Sequence, residues 1–238
     1  MKTPSRLIAL VGITALCVSG AQAQLNTNLI LNPGADLDAA STLDTPPLVP
    51  TSWIATSNAG YISWGTSGGY PAAGDSGPTD RGTNFFFGGN VANSSLSQTV
   101  SLASLDTLID SGAADYDLSG WLGGFSLDSD NAKVTATFRD ALNGSLGSAS
   151  LGPVTNTDRS NATSLLLRQT GGTLPVGTRT VTILMDFTRS SGTINDGYAD
   201  SLSFQVTNSI VPEPGTLVFL ALGGTLVLVK RREARTAK

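Results

Sequence analysis

The sequence predicts an all-β fold, an antiparallel β-sandwich, and three observations lead there. Apolar and polar residues alternate over short runs, which puts every second side chain on one buried face. Helical periodicity is nearly absent. Turns rich in Gly, Asn and Asp recur at roughly 8–15-residue intervals, a spacing that suits short strands joined by tight connections.

The elements follow in chain order. Segments 28–32, 53–55, 61–64, 84–87 and 96–100 read as strands. Within Phe85-Phe86-Phe87, alternation buries Phe85 and Phe87 together and turns Phe86 to a second layer or a partner. Segment 65–82 is rich in Gly, Ser and Pro and is expected to be an exposed loop. The one helical candidate is 104–109, where Leu105, Leu108 and Ile109 share a face. Strands are then expected at 116–125, with Trp121 in the core, and at 134–138, 146–151, 165–169, 181–187 and 202–206. The clearest are Val134, Ala136, Phe138; Val181, Ile183, Met185, Phe187; and Leu202, Phe204, Val206, each interleaved with polar residues. Asn143-Gly144 and Gly171-Gly172 read as turns. No repeat recurs at a fixed period.

Composition excludes several functions. The chain has 238 residues, no His, one Cys and 13% charged residues. Without His there is no His-based triad, His-ligated zinc or imidazole proton shuttle. One Cys excludes an internal disulfide framework. The net charge of -4 argues against nucleic acid as a partner. In 24–211 all sixteen acids are Asp, against Lys133 and six Arg, so this segment carries a net -9. An acidic domain of this kind suits solubility and divalent cations rather than anionic polymers.

Both ends read as addresses. Residues 1–23 have a basic start (Lys2, Arg6), an apolar run and the small-x-small site Ala21-Gln22-Ala23, the pattern of a secretory signal peptide. Cys17 lies in that run after Leu16, which is too large for a lipoprotein site. The domain 24–210 follows. Segment 211–238 begins with Pro212-Glu213-Pro214, continues through an apolar helix at 215–229, and ends in a basic tail, 230–238, containing Arg231 and Arg232. Fifteen helical residues span roughly 22 Å, short of the roughly 30 Å hydrocarbon core. A plain single-span anchor with its basic end in the cytoplasm is one reading. The order of the three features resembles the PEP-CTERM sorting signal of Gram-negative bacteria. That resemblance implies an exosortase partner, transient insertion in the inner membrane, and a final location at the cell surface or in the extracellular matrix, often alongside exopolysaccharide and biofilm production.

A second resemblance covers most of 26–207. The opening Asn28-Leu29-Ile30-Leu31-Asn32-Pro33-Gly34-Ala35-Asp36 resembles the first strand of galactose-binding-like jelly rolls, a fold many carbohydrate-binding modules share. Leu118-Ser119-Gly120-Trp121-Leu122-Gly123-Gly124-Phe125, Asp128-Ser129-Asp130-Asn131-Ala132 and Asn195-Asp196-Gly197-Tyr198-Ala199-Asp200 are similar to the same group. In it a structural calcium joins an acid after the first strand to an acid on the last. By position these are Asp36 and Asp200, although the first is often Glu in that group.

The residues themselves leave alternatives open. Asp200 shares parity with Leu202, Phe204 and Val206, so a regular strand turns it coreward, where a carboxylate needs a cation or several hydrogen bonds. It is then a calcium ligand or the cap of a turn. Asp128, Asp130 and Asn131, and Asn195 with Asp196, could chelate or simply stabilise turns, and the turn reading is favoured. Tyr61, Trp64 and Tyr70, with Asp75 and Arg81 nearby, suit a sugar platform of flat rings and hydrogen-bonding groups, or else Trp64 and Trp53 plug the core. Three functions remain: a non-catalytic glycan- or exopolysaccharide-binding surface protein, a structural matrix protein acting by self-association, and a two-carboxylate glycosidase. The first is the leading expectation.

Overall fold

A computed structural model of the chain describes residues 23–209. The expected leader, apart from Ala23, and the whole of 211–238 with its Pro212-Glu213-Pro214 motif lie outside the described residues.

Ten strands form two five-stranded antiparallel sheets. The first has the order β1 (Ile54–Thr56), β4 (Asn93–Ser101), β9 (Thr180–Thr188), β6 (Asn131–Arg139), β7 (Ser145–Leu151). The second has β2 (Gly60–Ser63), β3 (Asn84–Phe87), β10 (Tyr198–Asn208), β5 (Ala114–Gly124), β8 (Ser164–Thr173). A short 3-10 turn, Ala103–Leu105, runs into helix α1, Asp106–Asp110, whose Ile109 is buried as its spacing predicts. The alternating pattern is realised directly. In β6, Ala132, Val134, Ala136 and Phe138 are buried while Thr135 and Thr137 are half-exposed. Phe86 turns into the core between the sheets with Leu96, Ile183, Leu122 and Phe204. Full burial of each such large apolar side chain contributes about 1.5–3 kcal/mol.

Three expectations are corrected. Segment 28–32 is not a strand. Asn26, Asn32 and Ala35 adopt left-handed φ values of 59, 49 and 60°, which break a two-residue period. The segment instead runs irregularly along β10, with the Asn26 N–H donating to Val206 O (2.9 Å) and the Leu29 N–H to Phe204 O (2.8 Å). The Asn28 side chain completes the ladder. Its Nδ2 donates to Leu202 O at 2.8 Å and its Oδ1 accepts the Phe204 N–H at 3.1 Å.

Gly171 and Gly172 lie inside β8, opposite Asp117 and Tyr116. A Cβ on Gly171 would come 2.9 Å from both Asp117 Oδ1 and Tyr116 O, so glycine lets the strand pass those groups.

Segment 65–82 is the irregular, largely exposed loop its composition predicts, but three of its residues turn inward. Tyr70, Pro71 and Pro78 are buried. Tyr70 belongs to a second apolar layer on the outer face of the second sheet, where it packs with Ile62, Phe85, Phe87, Leu165 and Tyr198. Trp121 edges this outer layer, half-buried, rather than entering the main core.

Candidate functional site

The outer face of the second sheet carries the features that bear on function, and a bulge in β10 decides what stands there. The pairing of β10 with β5 is regular to Asp200↔Trp121, then slips before Ser203↔Ser119, with Ser201 at φ 47°. Tyr198 and Asp200 therefore face outward, while Ala199, Leu202, Phe204 and Val206 face the main core. The parity argument for Asp200 fails at this extra residue: its side chain is fully buried, but on the opposite side of the sheet.

Trp64 shields it, donating from Nε1 to Asp200 Oδ2 at 3.2 Å, and the Ser201 N–H donates to Oδ1 at 2.6 Å. Asp36 comes alongside: Asp200 Oδ1 and Asp36 Oδ2 each lie 2.8 Å from where a Cβ on Gly34 would stand. Asp36 is exposed, and its Oδ1 accepts the Thr83 and Asn84 N–H groups at 2.6 and 3.1 Å. Burial, with the neighbouring Asp36 charge adding to it, pushes the Asp200 carboxyl up to about 8. The sequence-predicted acids thus meet, and a desolvated carboxylate beside a second one is a donor pair suited to a hard divalent cation.

The predicted sugar platform is dispersed. Tyr61 is 4% exposed and Tyr70 7%. Tyr61 packs into the main core, and the Tyr70 hydroxyl donates to Asp44 Oδ2 at 3.2 Å. Trp64 is half-buried between Phe85 (ring centroids 5.0 Å apart) and the Arg81 guanidinium (4.2 Å). Arg81 in turn donates to Pro78 O and Asp75 O, at 2.8 and 2.9 Å. Asp75 accepts the Ala72 N–H at 2.8 Å. These residues clasp the 65–82 segment onto the sheet. No row of exposed rings results, because the apolar sheet face beneath recruits them as cover.

A second acidic group, Asp128, Asp130 and Asp196, has carboxylate oxygens within 4.8 Å of one another. Its hydrogen bonds account for it as a staple between two loops. Asp130 accepts the Ser190 N–H (2.6 Å), the Ser190 hydroxyl (2.9 Å) and the Asp196 N–H (2.9 Å). Tyr198 donates its hydroxyl to Asp196 at 2.7 Å. Burial, with the charges of Asp130 and Asp128 adding, raises Asp196 to about 6. Arg159 lies buried beside the group and donates to Ser126 O, Ala162 O and Asp128 O. Its guanidinium supplies the positive charge a cation would otherwise bring.

The part of the outer face that 65–82 leaves open is a trough of about 430 Å³. Asp117 and Ser119 of β5, Gln169 of β8, and Ser203 and Gln205 of β10 line it. Register places them in two rows: Ser119 opposite both Ser203 and Gln169, and Asp117 opposite Gln205 and Gly171. One step along the same face stand Trp121 and Leu167, paired across β5 and β8, with Leu167 45% exposed. The trough therefore offers carboxylate, amide and hydroxyl groups at its floor and apolar surface at one end. Apart from Ser119, in the 118–125 stretch, the polar residues of the trough belong to no motif of the sequence. They read as the solvated half of ordinary alternation, and only the register assembles them.

No family model matches the sequence, and no curated protein matches it. Among solved structures, the enzymatically active domain of bacteriophage CBA120 tailspike protein 4 is similar at 12% identity and TM-score 0.48, over 75% of this chain and 21% of that one. The chain thus spans about a fifth of the tailspike structure's length. The CBM22-1 xylan-binding domain from Paenibacillus barcinonensis Xyn10C is similar at 10% identity and TM-score 0.41, over 79% of this chain and 99% of that one. A family 16 carbohydrate-binding module is similar at 18% identity and TM-score 0.36, over 52% and 77%.

Proposed function

We propose that the protein is an exported, non-catalytic surface or matrix protein whose sandwich binds an extracellular polysaccharide in the trough on its second sheet. The observation that carries this reading is the trough itself. Asp117, Ser119, Gln169, Ser203 and Gln205 converge on one open strip beside Trp121 and Leu167. Sugar rings present apolar faces bordered by hydroxyls, and they are held by a few placed polar groups next to apolar or aromatic surface. Retention of the protein on insoluble polysaccharides, compared with a Gln169→Ala/Gln205→Ala variant, tests it.

In this reading the leader 1–23 directs export. The Pro212-Glu213-Pro214 segment is the exosortase-recognised sorting signal that carries the domain to the surface through transient membrane insertion. Asp36 and Asp200 hold a structural calcium ion, which neutralises the buried carboxylate and ties the 28–36 segment to β10. The ion's role is to fix the fold around the bulge, and the rest of its coordination comes from backbone oxygens. A glycosidase reading has less to stand on. Of the two raised carboxyls that have a carboxylate beside them, Asp200 is sealed under Trp64, where a glycosidic oxygen has no access, and Asp196 is held by the Tyr198 hydroxyl within the staple that joins two loops.

A further inference from the structure

Four strands end the two sheets: β1 and β7 in the first, β2 and β8 in the second. A free edge presents unpaired backbone donors and acceptors, and folds blunt it by shortness, charge, proline or a covering segment. Three of these edges are blunted. β1 has only three residues. β2 is covered by 41–48: the Tyr61 N–H donates to Leu48 O at 3.1 Å and the Ser63 N–H to Ser41 O at 2.8 Å. β8 carries Arg168, and its Leu165 N–H donates to Ser76 O at 2.8 Å.

The β7 edge is different. Ser145–Leu151 contains no charged residue and no proline, and all but Ala149 and Leu151 are exposed. Among the described residues its backbone makes no hydrogen bond beyond its pairing with β6. A bulge at Leu146, between Phe138↔Gly147 and Arg139↔Ser145, ends the regular ladder on one side. Residues 147–151 remain as an open, regular stretch.

We propose that this edge pairs antiparallel with the same edge of a second copy, joining two first sheets into one ten-stranded sheet. The stretch is self-complementary about Ala149: Ser148 meets Ser150 on the exposed face, and Gly147 leaves room opposite Leu151. Charge points to the same occupant. Two copies of a domain carrying -9 repel over most of their surface, and β7 offers an approach without charge. Behind it on the exposed face lie neutral rows, Ser150–Thr135 and Ser148–Thr137–Thr182–Thr99. The arrangement is an isologous two-fold contact. It presents two troughs from one assembly, and it stands whether or not the trough binds a glycan.

The test uses the full-length chain with its only cysteine removed (Cys17→Ser) and Ala149→Cys added. Opposed residues in an antiparallel pair have Cα atoms about 4.5–5.5 Å apart, inside the range a disulfide spans. Mild oxidation is expected to give a band of twice the mass on non-reducing gels. Thr188→Cys, exposed at the end of β9, is expected to give at least tenfold less. Adding Ser148→Lys to the Ala149→Cys chain places a charge on the edge and is expected to cut the cross-link about tenfold. Absence of the cross-link at 149, equal cross-linking at 149 and 188, or a cross-link unmoved by the lysine would each overturn the proposal.

Discussion

Replacing Asp200 by Asn separates the buried charge from the packing around it, and the structure gives the expected sign. In the folded state burial holds the Asp200 carboxyl at about 8, against an ordinary 3.8. The native chain therefore keeps a proton that the unfolded chain loses, and stability falls as pH rises from about 4 to about 8. Each unit of difference is worth about 1.4 kcal/mol, so roughly 4 kcal/mol is at stake between pH 5 and pH 8 without a cation. A calcium ion on Asp36 and Asp200 stabilises the ionised form and removes this decline. At one hundred times its dissociation constant it adds about 2.7 kcal/mol. Asp200→Asn is neutral at every pH, so the variant is expected to lose most of the pH slope and all of the calcium response. In EDTA at pH 8 it should melt no lower than the unsubstituted protein, whereas in saturating calcium it should melt lower. Urea unfolding in EDTA at pH 5 and pH 8 reads the slopes, and melting temperatures at pH 8 in EDTA and in calcium read the metal response. Asp196, raised to about 6, contributes its own decline between about pH 4 and 6 in both proteins and cancels in the comparison. Equal slopes for the two proteins in EDTA would refute the desolvated carboxylate, and melting temperatures unmoved by calcium and EDTA would refute the metal.

Other consequences concern the supporting structure. Phe86→Ala empties a site between the sheets where Trp53 stacks edge-on at 5.3 Å, and it should cost about 3–5 kcal/mol, a fall in melting temperature of roughly 10 °C by calorimetry. Trp64→Ala opens Asp200 to water and releases the 65–82 clasp. It should lower stability by about 2–4 kcal/mol at pH 5, flatten the pH dependence seen in urea unfolding, and leave polysaccharide retention intact.

Much of the architecture was legible in the sequence because strand alternation is a local signal. Segments 84–87, 134–138 and 181–187 coincide with β3, β6 and β9 or lie within them, and the triple Phe divides between the two layers as its parity requires. Two things stay hidden from sequence: composition does not show where a second surface covers the first, and parity does not show a bulge or a left-handed residue that breaks the period. The 65–82 segment has the composition of a free loop, yet Ile62, Phe85 and Tyr198 leave an apolar face outside the sandwich that must be covered, and Tyr70 and Trp64 cover it. A regular strand turns Asp200 coreward, and the bulge at Ser201 reverses it. Asp36 and Asp200, 164 positions apart, were paired by resemblance alone, because no local pattern links them. The trough was invisible for a plainer reason. Ser, Gln and Asp on alternate strand positions look like solvated surface until β5, β8 and β10 are set side by side.

A trough that holds a polysaccharide must draw the protein out of solution onto that polysaccharide. The most direct measurement is the depletion of the protein from solution by a panel of insoluble and immobilised polysaccharides, beside Gln169→Ala/Gln205→Ala and Trp64→Ala. Depletion by at least one glycan class is expected, reduced at least tenfold in the trough variant and retained by Trp64→Ala. Depletion by none of them, or depletion that survives loss of both glutamines, would contradict it.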